Sequence, residues 1–381
     1  HGAHPGSFSV SRPYQMCTRC VMDTSASDIC FDEHGVCNYC TDFLRKSGHI
    51  IHADPATKQG QLDAFIARVK REGKGKRYDC VVGVSGGVDS SWVLVRVVEL
   101  GLRPLAVHMD NGWNSELAQN NIANLVQGLG VDLYTHVIDW PEYKALMQAF
   151  FDADVIDVEL LYDNAMLAVN YQQASAHGVK WILSGSNQAT EGMSIPEDWK
   201  WIKHDQRNIK AIAKAHGDVR MRTFPSIGTL QYVWAEFVRR IKWTPILNLM
   251  DYNKFDAMRA LQESHGYKPY PYKHYESIFT RFYQGYLLPR KFGVDKRRVH
   301  LSTLVITGQM ARQDALVDLE GIPYPSLAEM ESDRQYFLKK MGWTEAQLEA
   351  YLGRPAQPHA AYANELRLWN GLKDIYLRIR R

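Results

Sequence analysis

The string Ser85-Gly86-Gly87-Val88-Asp89-Ser90 sits between the apolar run Tyr78 to Val84 and an apolar helical stretch, Trp92 to Leu100. A strand, a glycine turn and a helix start in that order constrain the fold more than any other feature of the chain. Two glycines let backbone N–H groups close around a phosphate, and the helix N-terminus adds its partial positive charge. Ser85 and Ser90 offer hydroxyl donors to phosphate oxygens, and Asp89 is placed to hold Mg²⁺. No lysine follows at the Walker spacing, so the loop is not of the kind that transfers a γ-phosphoryl group. An ordinary tight turn would not need two serines and an aspartate around its glycines.

From Tyr78 onward, strand-like runs at Cys80–Val84, Leu105–Met109, Leu133–Ile138 and Trp181–Ser184 alternate with helical patterns at 90–100, 115–128, 142–151 and 163–177. That alternation predicts an α/β fold with a doubly wound parallel sheet. In this setting Ser85–Ser90 resembles the pyrophosphate loop of the PP-loop ATP pyrophosphatases, the adenine nucleotide α-hydrolase type. The resemblance implies ATP and Mg²⁺ as cofactors. It also implies cleavage between the α and β phosphates, with AMP placed on a carbonyl oxygen to make it a leaving group.

Ligands of open parallel sheets gather beyond the carboxyl ends of the strands. After the second run, Asp110-Asn111-Gly112-Trp113-Asn114 reads either as a turn built on Asn-Gly or, by resemblance, as the adenosine-side loop. After the fourth run, Gly185, Ser186 and Asn187 fit an α-phosphate and acceptor site, with Glu191 as a second Mg²⁺ ligand. Asp163 and Asn164, at a helix start, either face the same cleft or, for Asp163, supply an N-cap.

A chain of 381 residues with 45% hydrophobic content can bury a core and hold two domains plus an appendage. Its net charge of +3 is too small to predict nucleic-acid binding. No apolar run approaches the roughly 20 residues of a membrane span, so no membrane insertion is expected. His1 to Val10 looks like an expression-tag remnant, with the native chain expected to begin near Met16. The chain divides into 1–15 (tag or disordered), 16–45 (zinc ribbon) and 46–77 (linker with a helix). A PP-loop domain at 78–230 and a mostly helical substrate- and partner-binding region at 231–381 follow.

Cys17-x-x-Cys20 and Cys37-x-x-Cys40 are separated by sixteen residues, the spacing of a zinc ribbon in which two turns each offer two thiolates. A turn at Asp32–Val36 would bring the pairs together. Cys30 and His34 lie between the pairs and are alternative ligands, and an iron–sulfur cluster or free thiols are alternative fates. Cysteine usage of this kind suits a reducing cytoplasm.

Between Tyr267 and Arg298 the chain is dense in aromatics and cations. The strings Lys273-His274-Tyr275-Glu276-Ser277-Ile278-Phe279-Thr280-Arg281-Phe282 and Leu288-Pro289-Arg290-Lys291-Phe292-Gly293-Val294-Asp295-Lys296-Arg297-Arg298 resemble the N-acetyl-sugar amidotransferase, WbpG-like branch of the PP-loop family. The segment Cys17–Thr24 resembles its beginning. The resemblance implies conversion of an acetamido group to an acetamidine on a nucleotide-linked N-acetyl sugar, in lipopolysaccharide O-antigen or related surface-glycan biosynthesis. It implies ammonia from a glutaminase subunit through a cyclase-like subunit related to imidazole-glycerol-phosphate synthase. Lys273, Arg281 and Arg298 are then expected to stabilise the reacting phosphates, and His274, Glu276 and Arg297 to bind substrate. No cysteine follows Cys80, and none has the surroundings of a glutaminase nucleophile. The competing readings are a tRNA-thiolating PP-loop enzyme, which would need reactive cysteines after the loop, and a non-catalytic nucleotide-binding module.

Overall fold

The computed structural model describes residues 12–380. Of the segment read as a tag remnant, residues 1–11 lie outside the described residues. Arg12 already belongs to the fold, donating to the carbonyls of Ile29 (2.6 Å) and Ala26 (3.0 Å).

The N-terminal turns lead into α1 (Asn38–Ile51) and α2 (Pro55–Glu72). An alternating series follows: β1 (Cys80–Gly83), α3 (Val88–Glu99), β2 (Pro104–Asp110), α4 (Glu116–Leu129), β3 (Asp132–Val137), α5 (Trp140–Asp152), α6 (Leu160–Ala176), β4 (Trp181–Leu183) and α7 (Gln188–Glu191). Beyond it come α8 (Gln206–Ala215), α9 (Thr229–Val233), β5 (Lys242–Thr244), α10 (Lys254–His265) and α11 (Ile278–Phe282), which runs on as a π-type stretch to Phe292. The chain closes with α12 (Arg297–Ile306), α13 (Arg312–Leu319), α14 (Leu327–Met341), α15 (Glu345–Gly353) and α16 (Leu366–Ile379).

All four strand pairings are parallel, and the strand order is β3-β2-β1-β4-β5. The doubly wound sheet expected from the sequence is therefore present. It takes a fifth strand at 242–244, past the expected domain limit at residue 230. Strand periodicity explains the two cores. Cys80, Val82 and Val84, with Trp181 and Leu183, face a cluster built with α2, α3, α4 and α10. Val81, Leu105, Val107 and Ile182 face the opposite cluster, with α5, α6, the cysteine segment and the C-terminal helices. Cys80 is thus a buried core residue, its thiol pushed up by burial.

Successive β–α connections run outward along one face and return on the other, so the order reverses between β1 and β4. The loops after those two strands frame the crevice where such sheets take ligands. Among the described residues no helix is long and apolar enough to cross a membrane.

Phe337 of α14 is fully buried and meets Trp113, Phe151, Phe282 and Trp343 at ring distances of 6.1, 5.7, 4.9 and 5.3 Å. It joins the C-terminal helices to the loop after β2 and to α5. Phe337→Ala should cost about 3–5 kcal/mol in urea unfolding, the usual range for a buried aromatic. A loss below about 1 kcal/mol would mean that α14 packs independently of the sheet.

Candidate active site

The turn after β1 needs its glycines for different reasons. Gly86 has φ +88°, and a Cβ there would stand 3.1 Å from the Ala118 carbonyl and 3.2 Å from the Tyr270 hydroxyl. Tyr270 donates to the Gly86 carbonyl at 3.0 Å. A Cβ on Gly87 would lie 3.2 Å from Glu276 Oε1. Ser90 Oγ accepts from Ser85 N (3.2 Å), and Ser85 Oγ accepts from Gly87 N (3.3 Å). Gly87 is the N-cap of α3 and offers no side-chain cap, which leaves donors of the first turn for a ligand.

The loop after β4 presses on this turn. A Cβ on Gly185 would come within 2.8 Å of the Ser90 amide nitrogen, so only glycine fits. Thr190 then donates its hydroxyl to Asp89 Oδ2 at 2.9 Å, and Tyr252 donates to Asp89 Oδ1. Lys273 Nζ lies 3.0 Å from Glu191 and 3.9 Å from Asp89. Burial alone would lower the Lys273 pKa; Glu191 and Asp89 outweigh it and hold the ammonium charged.

The loop after β2 is stitched to the 276–278 segment through Ser115 N to Glu276 O and Ile278 N to Trp113 O, both 2.8 Å. Asp110 Oδ1 accepts from Gly112 N at 2.8 Å, which sets that turn. His274 stands at φ +61°, with Nδ1 3.9 Å from Glu276 Oε1. Burial pushes the Glu276 carboxyl up to about 7. The structure therefore brings Ser85 to Ser90, Gly185, Glu191, Lys273, His274 and Glu276 together around the turn after β1.

Other sequence-selected residues have structural partners of their own. Asn187 caps α7, accepting from Thr190 N at 2.8 Å and donating to Gly185 O at 2.8 Å, while Ser186 is exposed beside it. Asn164 is fully buried, donating to Lys203 O and Ile227 O and accepting from Ile227 N. Glu159, not Asp163, is the N-cap of α6, and Asp163 pairs with Lys203 at 2.9 Å. The three arginines are engaged away from the loop. Arg281 forms a two-point pair with Asp333 (2.6 and 2.9 Å), and Arg297 pairs with Asp295 at 2.8 Å. Arg298 holds Asp23 at 2.9 Å and the Val21 carbonyl at 2.8 Å. Their acidic partners come from distant or locally folded segments, which the cation-rich string gave no means of seeing.

Sequence reading did not single out Tyr252, Lys254, Glu159, Lys203 or His300, and it named Thr190 and Lys296 only as members of longer runs. Tyr252 and Lys254 follow β5, and the rule that chemistry follows strands would have found them had that three-residue strand been read. Lys254 lies within charge range of Asp89, Glu191 and Glu276, and burial lowers its pKa. Glu159 accepts from Thr280 at 2.8 Å, and burial raises it to about 7.

The four cysteine Sγ atoms of Cys17, Cys20, Cys37 and Cys40 lie within 4.8 Å of one another. Two separations, Cys17–Cys40 at 3.9 Å and Cys20–Cys37 at 3.7 Å, match the edge of about 3.8 Å in a tetrahedron with Zn–S bonds of about 2.3 Å. Amide N–H groups of Arg19, Cys20 and Cys37 point at Cys17 Sγ at 3.3–3.4 Å, as thiolate ligands require. The donor set suits zinc and leaves no open position. Cys30 and His34 are exposed and outside it. The module is clamped by Arg298, by Arg312 on the Cys17 and Cys20 carbonyls, and by Ser302 accepting from Val21 N. On its other side, Ser47 donates to Gln188 of α7 at 2.5 Å.

The sheet is parallel in the order β3-β2-β1-β4-β5, and Ser-Gly-Gly-x-Asp-Ser stands at its switch point, the arrangement that the PP-loop resemblance implied. Residues 276–376 match the family described as LPS biosynthesis protein WbpG-like, C-terminal domain. No curated protein matches the chain. Among solved structures, NMN synthetase from Francisella tularensis is similar at 13% identity and a TM-score of 0.30, over 58% of this chain and 99% of that one. A predicted subunit of tRNA methyltransferase from Methanocaldococcus jannaschii DSM is similar at 14% identity and a TM-score of 0.28, over 48% and 73%.

Two measurements follow from this geometry. Glu159 keeps its proton to about pH 7 when folded, against about 4.3 for an unperturbed glutamate. The folded state therefore binds the extra proton within that window, and its stability falls as pH rises through it. Glu159→Gln should raise Tm relative to wild type at pH 8, with the gap closing towards pH 5; an equal gap at both would contradict the shift. Cys37→Ser should remove one zinc per chain by elemental analysis and lower Tm by several degrees. A variant that retains zinc and Tm would show the cluster to be metal-free.

Proposed function

We propose that this protein is an AMP-forming amidotransferase that converts the acetamido group of a nucleotide-linked N-acetyl sugar to an acetamidine, in surface-glycan biosynthesis. One observation carries the reading. The string at the threshold of the WbpG-like segment supplies a wall of the phosphate loop, with Glu276 against Gly87 and Lys273 between Glu191 and Asp89.

ATP binds with its β and γ phosphates in the Ser85–Ser90 turn, where the open first turn of α3 meets them. Asp89 and Glu191 would hold Mg²⁺, which supplies neutralisation of phosphate charge. Each Asp89 oxygen accepts one side-chain hydrogen bond, so lone pairs are left for a cation. The acetamido oxygen attacks the α-phosphorus, pyrophosphate leaves, and the carbonyl carbon becomes an adenylated imidate. Ammonia adds to that carbon, loses a proton and expels AMP to leave the amidine. An amide oxygen is a poor nucleophile and a poor leaving group, so positioning and charge stabilisation by Lys273, Lys254 and the loop amides carry most of the barrier reduction.

Ammonia is supplied from outside the chain by a glutaminase subunit through a cyclase-like subunit. Four cysteines form the cluster, Cys80 is buried in β1, and Cys30 is exposed on the module with no histidine as a hydrogen-bond partner among the described residues.

The test is turnover of purified protein with ATP, Mg²⁺, ammonium and a panel of UDP- and CMP-linked N-acetyl sugars. Sugar-dependent AMP and pyrophosphate release, with a product about one mass unit lighter, is expected, because NH replaces O. AMP formation with tRNA and a sulfur donor instead would overturn the reading. Asp89→Asn should lower kcat by about 10²–10³, the scale of one lost charge-stabilising group, with Tm little changed. Wild-type turnover in that variant at saturating Mg²⁺ would remove Asp89 from the site.

A further inference from the structure

A second group of polar side chains continues from the phosphate loop along the start of α6 and the start of α12. Lys203 bridges Asp157 at 2.6 Å and Asp163 at 2.9 Å, and Glu159 is fixed by Thr280. On the opposite side the rings of His274 and His300 meet edge to face at 5.2 Å. Lys296 lies within charge range of both sides, of Asp157, Asp163 and Glu159 and of the two histidines. These groups are held by neighbours, yet Asp163, Lys203 and His274 keep 31, 35 and 35% of their side chains accessible. That combination leaves part of this polar group open to solvent, with Glu159 buried behind it.

We propose that Glu159, Asp163, Lys203, His274, Lys296 and His300 line the subsite for the hydroxylated ring of the acceptor sugar. The assignment rests on the proposed reaction for the identity of the acceptor as a sugar. Charge distinguishes this wall from the phosphate loop. The ammonium groups of Lys203 and Lys296 are balanced by Asp157 and Asp163. Burial and the flanking lysines keep both imidazoles neutral. A neutral imidazole both donates and accepts, as do hydroxyl groups, and carboxylates take further donors. A charge-balanced surface rich in both functions suits a polyol, whereas a phosphate or carboxylate would need surplus positive charge. The wall adjoins Glu276 and Lys273, so a ring bound there would direct its acetamido group toward the α-phosphate.

Saturation-transfer NMR with UDP-N-acetylglucosamine, N-acetylmannosamine and UDP alone tests this directly, with α,β-methylene-ATP binding measured alongside. Wild-type protein should saturate ring protons of an N-acetyl sugar. Lys296→Met and His300→Leu, each confirmed as folded by thermal unfolding, should weaken sugar binding at least fivefold and leave the ATP-analogue Kd within twofold. Unchanged sugar affinity in both variants, a parallel loss of ATP-analogue affinity, or no sugar saturation in wild type would overturn the assignment. Sugar binding of the expected pattern without AMP formation would leave the subsite standing and reject the chemistry. Turnover with an unaltered acceptor KM in both variants would do the reverse.

Discussion

The backbone after β4 approaches the helix start after β1 so closely that a single methyl group on Gly185 would collide with the Ser90 amide. That approach sets the width of the crevice and lets Thr190 reach Asp89. Tyr252, arriving from the loop after β5, takes the other carboxylate oxygen. Asp89 is thereby held by side chains from two other strand-end loops, and its position is decided by the sheet rather than by its own rotamer preference. Lys273 completes the arrangement with a cation that its acidic neighbours keep charged. A site held in this way costs little reorganisation when phosphate charge arrives.

The outer parts of the molecule act on the same crevice. The cysteine module presses α1 against α7: Phe43 lies so near Gly192 that a Cβ there would stand 2.3 Å from its ring. From the other side, α12 holds the module through Arg298 and Ser302, and Thr303 accepts from Met193 N. Thr307 and Gln309 both donate to the Ala189 carbonyl. The short helix carrying Thr190 and Glu191 is therefore gripped between a metal-type fold and the WbpG-like segment. Zinc binding at the cysteines would act on the chemistry through this grip, since its ligand set has no place for substrate.

Much of this was legible because the governing signals are local. Strand, glycine turn and helix are contiguous in 78–100, and the alternation that follows is regular enough to give four strands and their helices. The two Cys-x-x-Cys pairs and the Asp32 turn also fold within thirty residues, with Asp32 accepting from both His34 N and Val36 N at 2.9 Å. What sequence could not supply was pairing across distance. Arg281, Arg297 and Arg298 read as phosphate ligands because cations near a phosphate loop invite that reading, but Asp333, Asp295 and Asp23 had already claimed them. Asn164 read as a substrate ligand, and its amide instead staples α6 to the 203 and 227 backbone. β5 escaped because Lys-Trp-Thr is a half-buried edge strand without the apolar run that marked the equally short, fully buried β4, and Tyr252 and Lys254 escaped with it.

The central claim is that the acceptor's own carbonyl oxygen attacks the α-phosphorus of ATP. An isotope tracer tests it most directly. An N-acetyl sugar nucleotide that supports turnover is prepared with ¹⁸O in the acetamido carbonyl, and the AMP formed is analysed by mass spectrometry. One ¹⁸O in the phosphate of AMP, matched to the amidine formed, is the predicted result. Label released to water, or found in phosphate or pyrophosphate with unlabelled AMP, would contradict adenylation of the carbonyl and with it the role assigned to the Ser85–Ser90 loop.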